Sequence, residues 1–199
     1  MRPLAAMFSL LLLASACGGD DDDDAGSQVD AGAVPADAAA TPDATVAIDA
    51  GAEDLDMQAA DFTCVRDGTK VHQFFVRNAL GHLDEAVEVA SSTTGGTYPV
   101  GTILQLIPTE AMVKRAPGWS PATGDWEFFS LVVSASGTTI DARGTEDVEN
   151  AFGGNCLECH ARAEPQWDLV CEDTHGCEPL GVGDDVITAL QDSDPRCAD

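Results

Sequence analysis

The sequence predicts an α+β fold, a small antiparallel β-sheet flanked by short helices, with a C-x-x-C-H motif near its C-terminal end. Three observations carry this. Strand-like runs at Val100 to Ile107, Trp126 to Val133 and Thr138 to Arg143 follow one another through short turns. Helical patterns lie before them, at His82 to Ser92, and after them, at Asp184 to Gln191. Successive strands with helices at either end point to segregated layers rather than alternating βαβ units.

The first elements are the least regular. Val71 to Arg77 carries Val71, Phe74, Phe75 and Val76, an apolar run that suits either a strand or a helix start, until Gly81 breaks it. His82 to Ser92 reads as a helix with Leu83, Ala86, Val87 and Ala90 on one face and Asp84 and Glu85 in the first turn, where acidic groups favour the helix dipole. Gly95-Gly96 marks a loop. Val100 to Ile107 is a strand closed by Pro108, and Ala116-Pro117-Gly118 and Pro121 to Gly124 are turns. Trp126 to Val133 alternates, with Trp126, Phe128, Ser130 and Val132 facing one way and Phe129, Leu131 and Val133 the other. Ser136-Gly137 reads as a hairpin turn into Thr138 to Arg143. Thr145 to Ala151 reads as a short helix capped by Thr145, and the chain ends in a Cys-rich, loop-like tail around the helix at Asp184 to Gln191.

Before the domain stand two segments of other kinds. Residues 1–16 have the form of an export signal: Arg2, an apolar run from Leu4 to Leu13, and small residues Ala14 to Ala16. The apolar run is too short to span a bilayer. Because Cys17 follows, the segment resembles a bacterial lipoprotein signal, with Cys17 lipidated and anchoring the chain to a membrane from the periplasm or cell surface; ordinary secretion is the alternative. Residues 17–61 form an Ala/Asp/Gly-rich stretch with 13 acidic residues and no Lys or Arg. Such composition cannot bury enough apolar surface to offset ordering entropy, so a disordered tether of about 35–40 Å is expected. The aspartates at 20–24 lack the loop of a calcium-binding EF-hand. Residues 62–199 form the folded domain.

Formal net charge is −26, which excludes a basic nucleic-acid-binding surface. The folded part alone holds 22 acidic against 8 basic residues and favours cationic partners.

The seven cysteines can be sorted by chemistry. In an exported chain, Cys156-Leu157-Glu158-Cys159-His160 reads as a c-type haem attachment site. Residues three apart share a helical face, so Cys156 and Cys159 can both reach the vinyl edge of one porphyrin, and His160 can ligate the iron as the metal's proximal ligand. Two other readings stand beside this one: a disulfide within C-x-x-C, or half of a zinc site completed by Cys171 and Cys177, although zinc leaves His160 unexplained. With Cys17 assigned to lipid, Cys64, Cys171, Cys177 and Cys197 remain as disulfide candidates in an oxidising compartment, with three connectivities open. A bridge from Cys64 to any of the others would close a loop stabilising by about 4–5 kcal/mol.

Several short motifs, in order, carry a resemblance. Tyr98-Pro99-Val100-Gly101-Thr102, Met112-Val113-Lys114-Arg115, Gly124-Asp125-Trp126-Glu127-Phe128, and C-x-x-C-H followed by Trp167-Asp168 resemble the cytochrome P-460 family over roughly residues 71–170. The resemblance implies a small antiparallel sheet flanked by helices, often in a homodimer, and one haem c with His160 as its only strong protein ligand. Members oxidise hydroxylamine with a lysine joined to the haem; the related beta-type cytochromes c-prime lack that link and bind nitric oxide in a phenylalanine-capped pocket. The domain has only Lys70 and Lys114, and the strand where the family lysine is expected reads Ile103-Leu104-Gln105-Leu106. The specific reaction is therefore not carried over, and Lys114, beside a turn, reads as a surface charge.

The second axial position decides between electron transfer and ligand chemistry. Met112, His72, His82 and His175 are the candidates, each more readily explained by core or surface. Phe128 or Phe129 are candidate pocket walls, Glu127 or Glu110 candidate distal proton relays, and Trp126 and Trp167 candidate haem contacts. The expected protein is an extracytoplasmic mono-haem c cytochrome with a five-coordinate iron, meeting a redox partner protein or a small-molecule ligand. The alternatives are a non-haem surface lipoprotein held by disulfides or zinc, and a haem-based nitric oxide sensor.

Overall fold

The computed structural model describes residues 55–197; Cys17, the signal segment and nearly all of the acidic stretch lie outside the described residues. Six strands form one antiparallel sheet in chain order: β1 (Thr69–Val71), β2 (Phe74–Asn78), β3 (Thr102–Gln105), β4 (Glu110–Lys114), β5 (Trp126–Ser134) and β6 (Gly137–Gly144). Among the described residues three α-helices accompany it: α1 (Leu83–Ala90) between β2 and β3, and α2 (Cys156–His160) and α3 (Asp184–Asp192) after the last strand. The α+β expectation holds.

Alternation along the strands builds two apolar faces. Val76, Leu104, Met112 and Phe128 are successive cross-strand partners in one row, and with Trp126 they form the face on which α1, Val148, Cys156 and Val170 pack. Ile103, Ala111, Val113, Phe129 and Leu131 form the opposite face, covered by Met57 and Phe62. Phe62 and Phe129 meet with ring centroids 4.9 Å apart. Burying each such ring stabilises by about 1.5–3 kcal/mol. Met57 belongs to this core, so residues 55–61, which composition assigned to the tether, strap the sheet. Arg143 of β6 ties this strap down, donating to the Met57 carbonyl at 3.0 Å.

Two elements differ from the sequence reading. Glu110 to Lys114, to which the sequence reading gave no element and whose Lys114 it placed beside a turn, is the central strand β4; it is short and charged at both ends, which hides its alternation. Thr145 to Ala151 is not a helix. Asn150 organises a turn there, its side-chain oxygen accepting from the N–H groups of Phe152 and Gly154 at 2.9 and 3.0 Å. Such side-chain-to-backbone bonds compete with helix formation. The returning chain then bridges Glu149 to Asn155 and brings Cys156 N–H to the carbonyl of the buried Val148 at 2.9 Å.

The four disulfide candidates pair as Cys64–Cys197, spanning 133 residues, and Cys171–Cys177, spanning 6. The first joins the segment that follows the strap to the chain beyond α3, where the Asp194 carboxylate accepts Val65 N–H at 2.8 Å and Arg196 donates to the Phe62 carbonyl at 3.0 Å.

Candidate functional site

The C-x-x-C-H motif is the short helix α2. Asn155 starts it: its side-chain oxygen accepts Glu158 N–H at 3.0 Å, a helix N-cap, while its amide donates to the Glu146 carbonyl. One turn of helix then places Cys156, Cys159 and His160 on the wall of a cavity of about 380 Å³. That volume lies in the range of small-molecule and cofactor sites, about 300–1,000 Å³. The sheet supplies the opposite wall through Phe74, Leu104, Met112 and Phe128, and α3 contributes Ile187. A second hollow, of about 430 Å³ beside Leu55 and Arg77, has no thiol or imidazole in its lining.

The chemistry centres on His160. Its Nδ1 lies 2.7 Å from the Leu169 carbonyl oxygen. A carbonyl can only accept, so Nδ1 carries the proton and Nε2 keeps its lone pair. Among the described residues Nε2 has no hydrogen-bond partner. Burial holds the imidazole pKa below its ordinary value, against the opposing pull of the Leu169 carbonyl. A neutral ring with an oriented Nδ1–H and a free Nε2 is the arrangement of a metal-ligating histidine with its outer partner in place.

The two thiols are free, Cys156 buried and Cys159 partly so. Burial, with Glu110 and Cys159 adding to it, pushes the Cys156 thiol up to about 12. This is the reverse of the electropositive setting that makes a thiolate nucleophile or disulfide-exchange catalyst. No disulfide joins Cys156 to Cys159. The zinc reading loses its other donors, because Cys171 and Cys177, which also line the cavity, are joined to each other. Among the described residues the one grouping of three possible metal donors is Cys64, Asp194 and Cys197, and its sulfurs are committed to the other disulfide.

The remaining candidates divide cleanly. Met112, Phe128 and Glu110 line the cavity, and the Phe128 ring lies 5.2 Å from that of His160. Burial raises the Glu110 pKa, against the Ala151 N–H that its carboxylate accepts. Phe129 and Glu127 belong to the opposite face of β5. Glu127 is buried between Arg115 and Arg143, so it is no distal relay. Trp126 and Trp167 do not line the cavity; Trp126 donates to the Asp168 carbonyl at 2.7 Å, and Trp167 stacks on His175 at 3.8 Å. His175 is buried with Nδ1 on the Val170 carbonyl at 2.7 Å, while His72 and His82 are exposed beside Glu172 and Glu85. None of these three histidines reaches the cavity.

Lys114 is not a surface charge. It is 5% exposed, and its Nζ lies 2.7 Å from each carboxylate oxygen of Asp168 and 2.7 Å from the Gly124 carbonyl. It does not line the cavity, so nothing in its position suits a cross-link to a group bound there.

The lining also includes Glu172, Asp173, Glu178 and Asp184 and no Lys or Arg. The surroundings therefore favour neutral or cationic species over anions. The Leu169 carbonyl and the α3 wall were invisible in the sequence, the first because any residue has a carbonyl, the second because α3 is distant along the chain.

No protein-family model, curated protein or solved structure matches this chain. Its function is read from the site alone.

Proposed function

We propose that this chain is an extracytoplasmic c-type cytochrome that carries one haem, joined through Cys156 and Cys159 and ligated by His160. The observation that carries the reading is the His160 ring: Nδ1 is fixed on the Leu169 carbonyl and Nε2 has no hydrogen-bond partner among the described residues, on the wall of a cavity with an apolar sheet side that both free thiols share. When bound, the haem would supply one-electron redox chemistry.

The protein's own residues have definable tasks. Cys156 and Cys159, both free thiols on the cavity wall, would hold the group covalently through thioether bonds. His160 enters as a neutral ligand and needs no proton removed to bind metal. Phe74, Leu104 and Phe128 exclude water. Met112 is the one candidate second ligand on the cavity wall, and it sits within the packed row of the sheet between Leu104 and Phe128. We therefore assign His160 as the single strong ligand, with a redox role in electron transfer or in binding or oxidising a small nitrogen oxide. The likeness to cytochrome P-460 and the anchoring through Cys17 belong to the same proposal. No described helix is long and apolar enough to cross a membrane.

The test is to export the full chain with and without a cytochrome c maturation system, then take oxidised and reduced spectra before and after denaturation. The expected result is a haem that stays with the denatured chain, a high-spin ferric signal unchanged by Met112→Leu, and loss of that signal in His160→Ala. A folded, matured chain without haem would overturn the proposal and leave a disulfide-stabilised surface protein in its place.

A further inference from the structure

We infer that the buried Lys114–Asp168 pair is a positioning device for His160: it fixes the chain corner whose Leu169 carbonyl orients the imidazole toward the cavity. The inference deepens the haem proposal and, for its redox consequence, rests on it.

The corner is strained. Asp168 and Leu169 are consecutive non-glycine residues with φ of +49° and +60°. Left-handed backbone is unfavourable for L-residues, and leucine lacks the short polar side chain that lets aspartate tolerate it. Such a conformation persists only where its surroundings hold it. Here four hydrogen bonds from other parts of the chain converge on Asp168. Its carboxylate accepts Lys114 Nζ at 2.7 Å on both oxygens and Tyr98 N–H at 2.9 Å, and its carbonyl accepts Trp126 Nε1–H at 2.7 Å.

The anchors come from the wall of the site. Lys114 and Trp126 are direct cross-strand partners, and two residues further along the same strands Met112 and Phe128 are partners as well. Lys114 and Trp126 hold the corner while Met112 and Phe128 line the cavity. The Leu169 carbonyl is thereby referenced to the rigid sheet, and with it the direction of the His160 ring. The lysine that the sequence suggested was a surface charge is instead engaged in geometry. Its Nζ hydrogen bonds go to Asp168 and Gly124.

The test reads the ring itself and needs no haem. The exported full chain, produced without maturation and labelled with ¹⁵N-histidine, is compared with Asp168→Asn, Lys114→Met and Lys114→Arg, the His160 signals being assigned by their loss in His160→Gln. The parent chain should hold His160 as the Nδ1–H tautomer. In Asp168→Asn and Lys114→Met the ratio of Nδ1–H to Nε2–H should fall about tenfold, the factor set by one hydrogen bond of ordinary net strength. Lys114→Arg should restore it. Should either variant fail to fold, Trp126→Phe removes one bond to the corner and should shift the ratio in the same direction. In the haem-loaded protein the same variants should raise the midpoint potential, because a less basic imidazole stabilises ferric iron less. Folded Asp168→Asn and Lys114→Met chains that keep the parent tautomer would overturn the inference. A chain that shows the tautomer shift but never takes up haem would refute the cytochrome and leave the positioning device standing.

Discussion

Replacing Lys114 by methionine tests whether this lysine is a buried structural charge. In the folded state the side chains of Lys114 and Asp168 are 7% and 11% exposed. Methionine preserves most of the volume but removes the ammonium from over the Trp126 ring and leaves the Asp168 carboxylate with Tyr98 N–H as its remaining donor. Breaking a buried pair in this way costs about 3–5 kcal/mol, because a charge stays desolvated without its partner. An exposed pair would cost no more than about 1 kcal/mol. Adding Asp168→Asn removes the stranded charge, so the double variant should be more stable than the sum of the singles predicts by about 1–3 kcal/mol. Urea unfolding with the disulfides intact, followed by tryptophan fluorescence, measures all four corners of the cycle. A Lys114→Met chain within about 1 kcal/mol of the parent, with no coupling to Asp168→Asn, would return the lysine to the surface and remove the basis of the corner.

Two further outcomes follow from the described structure. Removing the Cys64–Cys197 bridge by Cys64→Ala with Cys197→Ala should lower stability by about 5 kcal/mol, from the chain-entropy cost of a loop of 133 residues. The six-residue span of Cys171–Cys177 should contribute only about 2 kcal/mol, and urea midpoints with each pair removed give the comparison. Asp194 supplies a pH dependence. Burial alone would raise its pKa, but hydrogen bonds from Arg196 and Val65 outweigh this and leave it below the ordinary aspartate value. Its contribution is therefore fully present above about pH 4, the unfolded value, and is lost as pH falls through the lower folded one. Unfolding free energies measured down that range should show a limb that Asp194→Asn abolishes.

What the sequence by itself determined is local. The alternation of Trp126, Phe128, Phe129 and Leu131 already describes a strand buried on both faces, since side-chain direction has period two whatever packs against it. Cys156, Cys159 and His160 likewise belong together because one helical turn brings them together. The acidic surface and the even set of four remaining cysteines also follow from composition alone. What the tertiary structure decided are the partnerships between distant segments. It chose one connectivity among three for the disulfides, put Glu127 on the wrong face for the cavity, and turned Lys114 from a presumed surface charge into the partner of a residue 54 positions away. It also supplied the Leu169 carbonyl, which no residue type announces. The physical reason is common to all of these. Periodicity and motif spacing are properties of a continuous piece of backbone, whereas burial, pairing of charges and the orientation of an imidazole depend on which other piece of chain fills the space opposite.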